Sequence, residues 1–200
     1  RLAAKKRCDF IFHQSDGPIL GRYSFETFIM LNKIQSFQPD LDGTQLRIGV
    51  VMSRFNEAIC LELRDACLDE LVKLGVAAED IVLATVPGAL EIPHALGLMA
   101  DSDEFDALIA LGAIVRGETY HFELVANESG RGISLVASGY NLPVLNAVLT
   151  TENEEQAHAR TEIKAREVAR AAVEMANLTD DVRAVYPNAA DLPFLMDDKE

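Results

Sequence analysis

The sequence predicts an α/β protein, a three-layer α/β/α sandwich around a four-stranded parallel sheet. Three observations carry that prediction. From residue 46 onward, strand-like and helix-like segments alternate in the order βαβαβαβα, and strands separated by helices pair in parallel through right-handed crossovers. Residues 107–114, ALIALGAI, run apolar or small without polar alternation, as a strand covered on both faces does. The strand-like segments end in short loops that open helices with apolar residues three and four apart.

Each element has its own warrant. Residues 1–40 carry short apolar patches, Phe10-Ile11-Phe12 and residues 25–31, with no sustained period. They are expected to be an N-terminal extension, disordered or non-native and outside the fold, with Met30 as an expected natural start. Residues 46–52, LRIGVVM, form the first strand, and residues 53–57 are its exit loop. The next helix places Ile59, Leu63, Cys67, Leu71 and Leu74 on one face, and Gly75 stops it where a left-handed cap belongs. Residues 81–86 are the second strand, closed by Pro87-Gly88, and a helix follows Ala89, Leu90, Glu91, Ile92 and Pro93. After the Asp103-Glu104 turn comes the central strand, then a helix over 119–139 loosened by Gly130 and Gly132. Residues 142–149 are the fourth strand. Thr151-Glu152-Asn153 cap a last helix whose apolar face includes Ala157, Ile163, Val168, Ala172 and Met175. The folded domain is expected over residues 41–178, and the acidic, proline-containing residues 179–200 as a tail. Four strands leave two open edges, so a neighbouring chain is expected to cover one of them.

Composition excludes several classes. The formal net charge is −14, and because residues 1–40 are net +2, residues 41–200 carry −16. That balance argues against a nucleic-acid or anionic-membrane surface, which needs clustered Lys and Arg. No stretch approaches the ~20 apolar residues of a bilayer span. The three cysteines, Cys8, Cys60 and Cys67, have no metal spacing, and Cys60 and Cys67 lie about 10 Å apart along one helix, too far to bridge. Reduced thiols in a cytoplasmic protein are the expectation. No GxxxxGK[ST], GxGxxG or metal cluster is present in the sequence, so chemistry by positioning and proton transfer, without cofactor or metal, is expected.

Ligands of open α/β sheets bind outside the carboxyl ends of the strands, which directs attention to three loops, residues 53–57, 87–91 and 116–121. Phe55 is a flat apolar face in a polar loop, suited either to stacking on a planar heterocycle or to plugging the core. Gly88 admits a close backbone approach. Glu91 either accepts hydrogen bonds from hydroxyls or simply favours a helix start. Glu118, Thr119, Tyr120 and His121 can open a helix, with Thr119 as cap and free N–H groups aimed at an anion. His121 would stand in that first turn. An imidazole titrates near neutrality and can give and take protons there, although a structural role fits its spacing as well. Arg160 is either a surface ion-pair partner of Glu154, Glu155 and Glu162 or an anion clamp, with Arg116 and Arg54 as rivals.

Taken together, RFNE at 54–57, VPGALEIP at 86–93, ALGAIVRGETYHFE at 110–123 and LTTENEEQAHAR at 149–160 resemble the four signature blocks of the lumazine synthase family. They stand in the family's order and spacing over about residues 43–178. The resemblance implies a flavodoxin-like fold and the penultimate step of riboflavin biosynthesis: 5-amino-6-(ribitylamino)uracil condenses with 3,4-dihydroxy-2-butanone 4-phosphate, releasing phosphate and water without a cofactor. It further implies that Phe55 stacks on the uracil and that Ala89, Leu90 and Glu91 contact the pyrimidine and ribityl chain. Ala113, Ile114 and Val115 would supply backbone contacts, and Glu118 and Thr119 would offer amides to the phosphate. His121 would be the proton donor and acceptor, and Arg160 would clamp the phosphate. Asn146 replaces an aromatic that many members present to the ring from a neighbouring subunit, which implies an amide contact instead. The stretch 160–170 looks shorter than in members that build large shells and lacks their glycines, and across that gap Lys164 resembles a family lysine near the site. Family members form pentamers or sixty-subunit capsids with sites between subunits, so a homo-oligomer of at least five chains is expected. The stretch just before residue 46 is expected to pair onto a neighbour's sheet edge.

Two other classes compete. A flavodoxin-like flavin- or nucleotide-binding module would need a Ser/Thr/Gly-rich phosphate loop after the first strand, and Ser53-Arg54-Phe55-Asn56 is not one. A non-catalytic lumazine- or flavin-binding or shell-forming protein of the same fold differs only in lacking turnover.

Overall fold

A computed structural model describes residues 34–187. Two compact units divide the chain, residues 1–38 and 39–200. The second holds all the regular structure described here. The extension expected over 1–40 lies almost wholly outside the described residues, as does the stretch after residue 187.

Four strands form one all-parallel sheet in the order β2-β1-β3-β4: β1 (Ile48–Ser53), β2 (Ile81–Val86), β3 (Ala107–Val115) and β4 (Val144–Thr151). Helices α1 (Glu57–Lys73), α2 (Ile92–Ala100), α3 (His121–Tyr140) and α4 (Glu154–Val185) fill the layers on either side, and short 3₁₀ turns span Ala78–Asp80 and Ala89–Glu91. This is the predicted three-layer α/β/α, flavodoxin-like arrangement.

Pleating sends alternate side chains to opposite layers. Ile48, Val50, Met52, Ile109, Leu111 and Leu149 pack against α1 and α4. Val51, Leu108, Ala110 and Ile114 pack against α2 and α3. Residues Ala107–Ile114 are buried throughout, which is why that strand reads without alternation. The chain leaves β1 toward β2 on one side and returns to β3 on the other. The order therefore reverses between β1 and β3, and a crevice opens beyond their carboxyl ends.

Several details differ from the sequence reading. β4 starts at Val144, two residues later than expected, because Asn141 takes a left-handed conformation (φ 51°) and Pro143 has no N–H to give a ladder. The stripe that α4 buries is Ala157, Thr161, Ala165, Val168, Ala169, Ala172, Val173, Ala176 and Asn177, while Ile163 and Met175 face outward. Small residues on the inner face let α4 lie close to α1 and the sheet. Asn177 is tolerated there because its Nδ2 donates to the carbonyls of Asp40 (3.1 Å) and Asp42 (2.9 Å). The same helix continues through residues 179–185, which composition alone assigns to a tail. No glycine or proline interrupts it before Pro187, whose ring disfavours helical backbone at Tyr186.

Gly130 and Gly132 do not loosen α3, which is continuous from His121 to Tyr140. Gly132 instead marks a close helix crossing, since a Cβ there would sit 2.6 Å from Cγ of Pro93 on α2.

Candidate functional site

Backbone hydrogen bonds tie the first two predicted loops together, and a side-chain bond ties the first to the end of β3. The N–H groups of Arg54 and Phe55 donate to the carbonyls of Val86 (2.9 Å) and Pro87 (3.1 Å), which docks the loop after β1 onto the loop after β2. Asn56, left-handed at φ 58°, sends Nδ2 to the Ala113 carbonyl at 2.9 Å and so spans the β1/β3 crevice. An asparagine suits both tasks: it tolerates that backbone region and its side chain reaches a carbonyl. The sequence reading missed it. Its signal was an asparagine just ahead of a helix after a strand.

Phe55 is 70% exposed. A core plug or a helix staple would be covered, so the ring is free to offer a stacking face over the crevice. In the second loop Ala89 is buried, whereas Leu90 and Glu91 are exposed. Glu91 begins a helix, and its carboxylate folds back toward Gly88, where a Cβ would lie 3.1 Å from Oε2. Gly88 is extended (φ −148°), so it is the space beside it that a side chain would fill.

The third loop follows β3. Ala113 and Ile114 are buried and Val115 is half-buried, which leaves their backbone rather than their side chains to face a ligand. Glu118 and Thr119 are exposed in the turn ahead of α3. Thr119 is not the cap: the N-cap is Tyr120, with no side-chain cap bond, and Thr119 Oγ1 accepts from the His121 N–H at 3.4 Å. His121 opens the helix and is exposed, and its ring carries no hydrogen bond to another described residue.

Arg116 is not free for an anion. Its Nη1 donates to Glu123 Oε1 at 2.5 Å, its Nε donates to Glu152 Oε2 at 2.6 Å, and its guanidinium lies 4.0 Å from the Phe122 ring centroid. The Glu123 and Glu152 carboxylates hold the guanidinium protonated above its ordinary range, and Arg116 in turn holds the Glu123 carboxyl below its own. Arg54 Nη1 donates to Thr85 Oγ1 at 3.0 Å.

Arg160 makes none of the ion pairs expected with Glu154, Glu155 and Glu162 among the described residues. Its Nη1 donates to the Gln156 carbonyl at 2.7 Å, one turn back on α4. No hydrogen bond or ion pair among the described residues joins Arg160 to the three loops, although the start of α4 adjoins them: Glu154 and His158 line one pocket with Asn56 and Glu57, and Arg116 reaches Glu152. Asn146 stands exposed on the edge strand β4, and its Oδ1 accepts the Val148 N–H at 2.8 Å, blunting that edge. Lys164 pairs with Glu167 at 2.5 Å on the exposed face of α4. Within one chain, then, Phe55, Glu91, Glu118, Thr119 and His121 stand in or beside the loops that follow β1, β2 and β3, while Asn146 lies on β4 and Arg160 and Lys164 on α4. No group of three metal-ligating side chains occurs among the described residues.

The arrangement is a planar stacking face, a carboxylate, exposed backbone amides and a histidine around a sheet switch point. It suits a planar, hydroxylated substrate and a small anion, joined by proton transfer. Comparison with known proteins agrees. The sequence model of the family described as 6,7-dimethyl-8-ribityllumazine synthase matches residues 45–180. The 6,7-dimethyl-8-ribityllumazine synthase of Burkholderia multivorans is 64% identical over 147 residues, 74% of this chain and 86% of that protein. The protein of the same name from Paraburkholderia phymatum is 65% identical over 146 residues, 73% of this chain and 85% of that protein. The one from Burkholderia vietnamiensis is 63% identical over 147 residues, 74% and 87%.

Proposed function

The chain belongs to the lumazine synthase family, a family of riboflavin-biosynthesis transferases, and from that premise we propose how its residues divide the reaction. The reaction is condensation of 5-amino-6-(ribitylamino)uracil with 3,4-dihydroxy-2-butanone 4-phosphate to 6,7-dimethyl-8-ribityllumazine, with release of phosphate and water. Phe55 stacks on the uracil ring. Ala89, Leu90 and Glu91 meet the pyrimidine and ribityl chain, with the Glu91 carboxylate accepting from the hydroxyls. The backbone of Ala113, Ile114 and Val115 lines the floor, and the amides around Glu118 and Thr119 receive the phosphate at the start of α3.

His121 moves the protons. When a primary amine condenses with a ketone, the nitrogen gives up both of its protons and the carbonyl oxygen leaves with two as water, so one group that accepts and donates in turn serves both halves. No cofactor enters this account. Positioning of two substrates in one crevice supplies the remainder of the rate.

Arg160 clamps the phosphate from a neighbouring subunit, and Asn146 reaches the site from the same side. What supports the cross-subunit reading is that neither residue contacts the crevice within its own chain, while β2 and β4 both leave an edge open. The assembly is a homo-oligomer of pentamers, either one ring or a capsid of twelve. A cytoplasmic location is supported by the two buried, unpaired cysteines, Cys60 and Cys67.

What supports the proposal most is that the loops bearing Phe55, Glu91 and His121 follow β1, β2 and β3, at the end of the sheet where the strand order reverses, within the family match. The purified chain mixed with both substrates should develop lumazine absorbance. Absence of product, where a control synthase turns over, would leave a non-catalytic binding or shell protein of the same fold.

A further inference from the structure

We propose that Arg116 is a positioning residue that fixes the His121 turn against the start of α4, and so sets the proton-transfer geometry without touching substrate. The inference rests on the role just given to His121.

The first turn of α3 is weakly held by its own backbone. The N-cap makes no side-chain bond, and the local bonds are long: His121 N–H to Thr119 Oγ1 at 3.4 Å, Phe122 N–H to the Thr119 carbonyl at 3.5 Å and Leu124 N–H to the Tyr120 carbonyl at 3.3 Å. Bonds of that length are near the limit at which a hydrogen bond still fixes geometry. The side-chain contacts are much shorter. Arg116 reaches Glu123 at 2.5 Å, stacks on Phe122 at 4.0 Å and reaches Glu152 at 2.6 Å. Phe122 and Glu123 immediately follow His121, so the clamp grips the residues on which its position depends.

The far end of the clamp is itself anchored. The Arg116 N–H donates to the Thr151 carbonyl at 2.9 Å, the Glu152 N–H to Gln156 Oε1 at 3.1 Å, and the Gln156 N–H to Asn153 Oδ1 at 2.9 Å at the cap of α4. One planar guanidinium thus joins the end of β3, the first turn of α3 and the start of α4. A lysine could keep the charge, but a single ammonium cannot stack on the ring while forking to two carboxylates.

Kinetics of wild type, Arg116→Met, Arg116→Lys, Glu123→Gln and their combination test this, with amide exchange as a second readout. Arg116→Met should lower kcat about tenfold or more, with KM for the phosphorylated ketone changed less than about twofold. Arg116→Lys should recover only part of that loss. Adding Glu123→Gln to Arg116→Met should cost little more, because both break one clamp. Exchange should quicken over residues 121–125 in Arg116→Met while the strands stay protected. A rise in KM for the phosphorylated ketone at constant kcat would overturn the inference by making Arg116 a phosphate ligand. Unchanged kcat or unchanged exchange would also overturn it. If wild type makes no lumazine, the functional reading fails instead, and the exchange result alone decides the clamp.

Discussion

Residue chemistry leaves Phe55 open between stacking and a core plug and His121 open between proton transfer and a structural role, and the family resemblance is what turns both toward the site. The exposed Phe55 ring argues against the plug, and the His121 ring has no hydrogen-bond partner among the described residues. The proposed role of Asn146 comes only from family resemblance, and resemblance is what favours the clamp over the ion pair for Arg160, since no described contact within one chain aims either at the crevice. Arg160→Ala should raise KM for the phosphorylated substrate severalfold with little change toward the ribitylaminouracil; a selective loss for the uracil would contradict the clamp. The reading of motifs also passed over Glu70, which is 4% exposed and bonded by Arg170 at 2.5 Å and Arg166 at 2.9 Å. Arg170, then Arg166, hold its carboxyl below the ordinary glutamate range. Its contribution to stability is therefore present above that ordinary range, about pH 4.3, and is lost as pH falls through the lowered folded value. Glu70→Gln should cost about 1–3 kcal/mol at pH 7 by urea unfolding, with the gap to wild type closing below about pH 4.

Among the elements, strands were read well because apolar runs bounded by glycine, proline and acidic turns have few alternatives. Helix faces were read less well. Choosing the largest apolar residues put Ile163 and Met175 on the buried side of α4, whereas a small-residue stripe with two bonded polar groups occupies it. Close packing of that kind leaves no hydrophobic signal. The glycines of α3 teach the same lesson, because two residues of one type have opposite duties. A Cβ at Gly130 meets nothing within 4 Å, while one at Gly132 meets the rigid Pro93 ring at 2.6 and 2.8 Å. Gly130→Ala should stabilise by about 0.5–1 kcal/mol through helix propensity. Gly132→Ala should destabilise by about 1–2 kcal/mol net, overpacking outweighing that gain. Equal shifts for both in chemical denaturation would refute the close-crossing assignment.

At the scale of the whole molecule, the switch in strand order brings the loops after β1, β2 and β3 to one end of the sheet, and the proposal is that a neighbouring copy completes the site there. The parallel, three-layer architecture was legible from the alternation of elements alone, whereas the strand order was not. What that alternation does not carry is anything set by a second copy, because side chains that complete a site across an interface look like ordinary surface in isolation. Mass measurement in solution should give at least five chains per particle, and a stable monomer with full activity would rule out the shared site. The central claim is that this crevice makes lumazine by proton transfer through His121. Its most direct test is the initial rate of lumazine formation by wild type beside His121→Ala at equal, saturating substrate. Turnover by wild type with at least a tenfold loss in the variant is the expected result; equal rates, or no product from wild type, would contradict it.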